Sequence, residues 1–361
     1  MMVTAIEFKN SKKSSSQRPS VEEILANPSF ADTVWNLKPS LYGKLPVAIG
    51  RGGPFIIDWE VHGTGEIKLV FVMGLGSIKT SWQRQTLKYG HEQGDKYSVL
   101  IFDNRGIGKS DKPILRYSTS EMALDVIEIL DALKWTKQRQ VHIIGISMGG
   151  MIGQEIAYLI PQRICSLNLM ATAAKIENTT TFFENMQTRI RMLVPKTLEN
   201  SITDSSKTLF SDEWLNEPDC TEVPSPGTPN VEFPPSGKYG KFSTNYERYA
   251  AHELCKRLDP EAFGRKGFLL QLIAAGWHYK SPEQLKEIGD KVGRDRIMVL
   301  HGTADRMITV PHGEKLIEWL QPGTAIIKEG TGHGFILEEW RYHNQLIESM
   351  VEKCEALNLK N

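Results

Sequence analysis

Three residues of this chain have the types and settings needed to activate a hydroxyl. Ser147 stands in Gly145-Ile146-Ser147-Met148-Gly149, Asp305 closes His301-Gly302-Thr303-Ala304-Asp305, and His333 lies in Gly330-Thr331-Gly332-His333-Gly334. A serine hydroxyl is a poor nucleophile until a base removes its proton, and the imidazole that does so needs a carboxylate to fix its tautomer. The five-residue serine pattern arises by chance, so its setting carries more weight. The apolar run 141–146 precedes it and a helical pattern over 148–160 follows it. A strand that turns at once into a helix holds its apex residue in strained backbone geometry. Gly145 and Gly149 sit two residues either side of the apex, where a side chain would collide with the neighbouring chain. The turn lifts the Ser147 hydroxyl off the sheet edge, and the unpaired N–H groups of the new helix point to the same place.

The elements that must position these residues are legible too. Short β-branched runs occur at 55–61, 67–73, 97–102, 141–146, 166–170, 297–300 and 324–327. Most lack polar alternation, as expected of strands covered on both faces. Helical periodicity separates them at 120–134, 148–160, 311–320 and 339–356. The pattern predicts an α/β fold, a mostly parallel central sheet with helices on both faces. In such a sheet the carboxyl ends of the strands share one edge. The runs ending at 146, 300 and 327 therefore bring Ser147, Asp305 and His333 together in nucleophile, acid, base order. The run 67–73 leads into Gly74-Leu75-Gly76-Ser77 at the same edge. Its exposed backbone suits an oxyanion hole whose donors are the N–H groups of Leu75 and Met148, with Gly74 and Gly76 beside the substrate.

The alternation lapses between about 172 and 265. Residues 177–194 read as a helix with Phe182, Met186, Ile190 and Leu193 on one face. The stretch 217–240 holds six prolines and reads as a stiff extended loop. The expected organisation is a tail and lead-in over 1–45, a core over 46–172 and 266–361, and an inserted, mainly helical segment over 173–265. The apolar stripe reads either as the interior of that insertion or, through Met186, as the lining of an acyl pocket above Ser147.

The 43 basic and 43 acidic side chains cancel, which argues against nucleic acid as the main partner. Four dispersed cysteines exclude a disulfide scaffold or zinc ribbon and suit a reducing, cytoplasmic setting. No run is long and apolar enough to span a membrane. The Ser/Lys-rich first twenty residues lack the arginine-rich pattern of a mitochondrial presequence and read as a solvated tail. Gly106-Ile107-Gly108-Lys109-Ser110 ends like a phosphate-binding loop, but Asp103 occupies the position of its first glycine, so nucleotide binding is rejected. The remaining histidines read as structural, His278 least securely.

Together these segments make the chain resemble the α/β-hydrolase family. They are Met73-Gly74-Leu75-Gly76-Ser77 with Trp82, residues 102–110, Gly145 to Gly150, His301 to Asp305, and Gly332-His333-Gly334. The resemblance implies a cap where the insertion lies, with the substrate between cap and triad, and no metal or organic cofactor. Many members carry histidine where this chain has Met73, a position whose side chain the backbone donors do not need. Serine rather than aspartate at 147 points away from the epoxide-hydrolase and haloalkane-dehalogenase branches. The expected activity is a serine hydrolase acting on a small, apolar ester or related acyl compound. Acyl transfer by the same triad, and a non-hydrolytic binding protein on the same fold, stay open.

Overall fold

The computed structural model describes residues 18–177 and 196–359. Met186 and the stripe it belongs to lie outside the described residues. Eight strands form the central sheet: β1 Leu41–Val47, β2 Phe55–His62, β3 Ile67–Val72, β4 Tyr97–Phe102, β5 Val141–Ile146, β6 Ile164–Met170, β7 Ile297–Gly302 and β8 Thr324–Lys328. Their spatial order is β8-β7-β6-β5-β3-β4-β2-β1. β1 and β2 run antiparallel, as do β2 and β4, and all other neighbours are parallel.

The uninterrupted apolar runs have a direct structural cause. Alternate residues of each strand enter different cores. Val70, Val72, Leu100 and Phe102 pack on one face, where helices α1 Thr119–Ala132 and α2 Met148–Leu159 also bury Val126, Leu130, Ile152 and Ile156. Leu69, Phe71, Val99 and Ile101 pack on the other with Trp82 and Tyr89. At about 25 cal/mol per Å2 of apolar surface, this double burial dominates the stability of the sheet.

Between β6 and β7 the described chain forms α3 Leu198–Leu209, α4 Asn245–Leu258, α5 Arg265–Gly276 and α6 Pro282–Val292. Ile202, Phe210, Trp214, Tyr246, Tyr249 and Leu254 form a separate apolar cluster there, and Ile24 from the start of the chain joins it. Arg18 pairs with Asp212 at 2.7 Å. The amino-terminal segment is thus fastened to the insertion from residue 18 onward. The proline-rich loop is held by a two-residue antiparallel pairing of Val231–Glu232 with Asn36–Leu37. After β7 come α7 Val310–Leu320, β8 and the terminal α8 Trp340–Asn358.

β1 begins at Leu41, within the segment read as a lead-in. Pro46 and the exposed Leu41 and Tyr42 give it no buried-strand signature. Such residues are tolerated because β1 is an edge strand. No helix among the described residues is long and apolar enough to cross a membrane.

Candidate active site

Only Ser147 separates the end of β5 from the start of α2. Its backbone has φ 57° and ψ −124°, a conformation that costs a non-glycine residue roughly 1–3 kcal/mol. The surroundings hold it there. Ser147 N donates to Met170 O at 2.9 Å, and Thr172 Oγ1 donates to Ser147 O at 2.8 Å. The flanking glycines answer to space. A Cβ at Gly145 would lie 2.3 Å from Gly149 O, and one at Gly149 would lie 2.0 Å from Val72 O. Ser147 is 7% exposed.

Two strands beyond β5, β7 ends in the turn that carries Asp305. The next strand, β8, leads to His333. Asp305 Oδ2 lies 2.7 Å from His333 Nδ1. Its other oxygen accepts from the backbone N–H groups of Met307 and Ile308 at 2.8 and 2.9 Å. Burial pushes the Asp305 carboxyl up, but the adjacent His333 ring, His301 and the Ile308 N–H outweigh it and hold the group below its ordinary value. The carboxylate fixes the proton on Nδ1 and leaves Nε2 as the ring's acceptor. His301 is buried against the same group, with Nε2 2.7 Å from Ile308 O and 3.5 Å from Asp305 Oδ2. It supports the acid turn. Among the described residues no hydrogen bond joins Ser147 to His333; such contacts are often loose before substrate binds.

The loop after β3 runs alongside the serine. A Cβ built on Gly74 would lie 3.0 Å from Ser147 Cβ and 3.5 Å from its Oγ. Gly76 has φ +68°, and a Cβ there would strike the Phe268 ring at 2.8 Å. The backbone N–H groups of Leu75 and Met148 have no hydrogen-bond partner among the described residues. Asn104 Nδ2 donates to Met73 O at 3.0 Å at the foot of this loop.

Several residues that hold the site carried no local signal in the sequence. Gln271 and Lys256 bond Gly76 from two helices between β6 and β7, Lys256 within the segment read as the insertion and Gln271 just past its expected end at 265. Glu338 accepts from Gly332 N at 3.0 Å and from Ser211 Oγ at 2.7 Å, tying the His333 loop to the insertion. Leu209 O accepts from Gly334 N at 2.9 Å. Only Glu338 could have been suspected, from its place five residues after His333. The Gly106 to Ser110 turn is a structural knot. Asp103 accepts from Lys79 N at 2.7 Å and Lys109 N at 2.9 Å, and a Cβ at Gly108 would strike its carboxylate. Arg105 forms a buried two-point pair with Asp125.

The other histidines serve the fold. His278 bonds Thr119 Oγ1 at 2.8 Å and is kept neutral by burial, its pKa pushed down to about 3. His142, Cys165 and Glu355 bring ligand atoms within 4.8 Å of one another. Both imidazole nitrogens of His142 are already engaged, by Ser166 and Glu355, and Arg296 reaches to 3.9 Å from the thiol. A cation there would face a guanidinium, so the cluster is a poor metal site.

A strained serine between strand and helix, with a paired acid and imidazole after later strands, is the arrangement of one protein class. Residues 68–339 match the model of the α/β hydrolase fold family, and the chain belongs to that family. Among sequence relatives, it is 38% identical over 108 residues to 3-oxoadipate enol-lactonase 2 of Acinetobacter baylyi, covering 30% of this chain and 38% of the lactonase. The chain thus matches under half the length of that curated relative. A thermophilic esterase from Thermogutta terrifontis superposes with a TM-score of 0.64 at 18% identity, over 87% of this chain and 99% of the esterase. The enol-lactonase of Burkholderia xenovorans superposes at 0.61 and 17% identity, over 86% of this chain and all of the lactonase. At these identities the likeness concerns the fold.

Proposed function

We propose that this protein is a serine hydrolase that cleaves a carboxylic ester, or a related acyl compound, through an acyl-enzyme on Ser147. The observation that carries the reading is the 2.7 Å contact of Asp305 with His333, at the sheet edge that also carries the strained Ser147. His333 Nε2 takes the Ser147 proton as Oγ attacks the acyl carbon. Asp305 holds the imidazole orientation and stabilises the imidazolium. The N–H groups of Leu75 and Met148 receive the negative charge that develops on the carbonyl oxygen. His333 then gives its proton to the leaving alcohol. In the second half it activates water, which releases the acid and restores the serine.

The family membership supports hydrolysis as the reaction class. The names of the two lactonases make cyclic esters a substrate class to include. The insertion acts in this reading as a cap, with substrate held between it and the sheet edge. The apolar side chains of α5, above all Phe268 against Gly76, favour an apolar acyl group.

The test is a panel of p-nitrophenyl esters of rising chain length, with simple lactones alongside, on wild type and Ser147→Ala. Turnover by the wild type alone, rising with acyl length, is expected. Equal turnover by both proteins would refute the reading.

A further inference from the structure

The Gly74 to Ser77 turn barely closes on itself: its internal bond, Ser77 N to Gly74 O, is 3.4 Å long. Two glycines make it pliable, and Gly76 needs a positive φ. An oxyanion donor stabilises a transition state only if it does not have to be reoriented during the reaction. Something outside the turn must therefore keep it still.

We propose that Gln271 and Lys256 are positioning residues that hold the Leu75 turn in its oxyanion-binding geometry. This rests on the hydrolase reading and goes beyond it, because neither residue belongs to the sheet or to the triad. Gln271 is fully buried on α5. Its Oε1 accepts from Gly76 N at 2.9 Å, and its Nε2 donates to Arg105 O at 2.9 Å. One side chain thus ties the turn after β3 to the segment after β4, which Arg105 anchors through Asp125. Lys256, 5% exposed on α4, donates from Nζ to Gly76 O at 2.9 Å. Both peptides flanking Gly76 are thereby fixed, one through its N–H and the other through its C=O. Asn104 fixes the carbonyl at the start of the loop.

Lys256 is itself held in place. Glu253 pairs with Lys256 at 2.6 Å and with Arg257 at 2.9 Å. Burial makes an unpartnered ammonium costly, and Glu253 and Gly76 O supply partners.

The experiment measures kcat and KM for a p-nitrophenyl ester, and Ki for an alkyl boronic acid that mimics the tetrahedral adduct, in Gln271→Leu, Gln271→Glu, Lys256→Met and Lys256→Arg. Melting temperatures report the fold. Gln271→Leu and Lys256→Met should lower kcat by about ten- to a hundredfold, the scale of a small misplacement of a catalytic group. KM should change little, and the boronic acid Ki should weaken in parallel with kcat. Lys256→Arg keeps a charged donor and should recover part of the loss, whereas Gln271→Glu, which sets a carboxylate against Arg105 O in place of the amide donor, should not. If Gln271→Leu and Lys256→Met melt like the wild type and keep its kcat and Ki, the assignment is overturned. Losses that track melting temperature alone, with Ki unchanged, would overturn it too. Labelling of wild-type Ser147 by a fluorophosphonate, measured beside them, separates this failure from failure of the hydrolase reading.

Discussion

In the central sheet Leu69 and Phe71 face one core while Val70 and Val72 face the other. The segment between β6 and β7 adds buried ion pairs to its apolar cluster. Arg248 meets Asp219 at 2.9 Å with both side chains buried, and Glu253 lies between Lys256 and Arg257. The two regions divide the work. Apolar burial on both faces fixes where the strands end, and so where Ser147, Asp305 and His333 stand. Polar contacts then fix the two loops that the strands leave free, through Gln271 and Lys256 on one and, on the other, through Leu209 and a Glu338 that also bonds Ser211.

Substitutions in the two regions should accordingly fail in different ways. Ser147→Ala should lose up to about a millionfold in kcat and Asp305→Asn about 10⁴-fold, with the circular dichroism spectrum unchanged. An Asp305→Asn protein with wild-type kcat would show that another carboxylate serves His333. Arg248→Ala leaves the Asp219 carboxylate buried without its ion pair. It should cost about 3–5 kcal/mol of stability, read by denaturant titration, while the chemical step is spared in whatever protein remains folded. A loss under 1 kcal/mol would mean that the insertion does not depend on its buried charge.

Acid sensitivity should be smaller and shared. Burial pushes His278 and His343 down to about 3, whereas an unfolded histidine titrates near about 6.5. Between these values the unfolded chain binds more protons, so stability falls as pH is lowered through about 6.5. From there to pH 5 each histidine should cost about 2 kcal/mol. Melting temperatures at pH 7.5, 6 and 5 test this, and His343→Gln should flatten the slope. A melting temperature that stays constant down to pH 5 would show that these rings are not buried neutral.

The same division explains what the sequence revealed. Strands buried on both faces leave continuous apolar runs, and the strand–helix junction at Ser147 demands glycines at fixed offsets, so sheet and motif were readable from local spacing. β1 was not, because an edge strand tolerates Pro46 and exposed Tyr42. Neither was the grip on the Gly76 and His333 loops. Gly76 and Gln271 are 195 positions apart, and Ser211 and Glu338 are 127 apart. A glutamine or lysine on a helix outside the sheet's own pattern looks like any solvated side chain until the fold brings its partner to it. Asp305 and His333 are 28 positions apart, enough for one helix and one strand, which is what α7 and β8 occupy.

The central claim is that Ser147 is the activated nucleophile of the sheet edge. It is tested most directly by treating the protein with a fluorophosphonate and locating the adduct by peptide mass spectrometry. A single adduct on the peptide containing Ser147 is predicted, forming in step with loss of ester hydrolysis and absent from Ser147→Ala. Inactivation with the adduct on another residue, or an unlabelled Ser147 in a protein that hydrolyses esters, would contradict it.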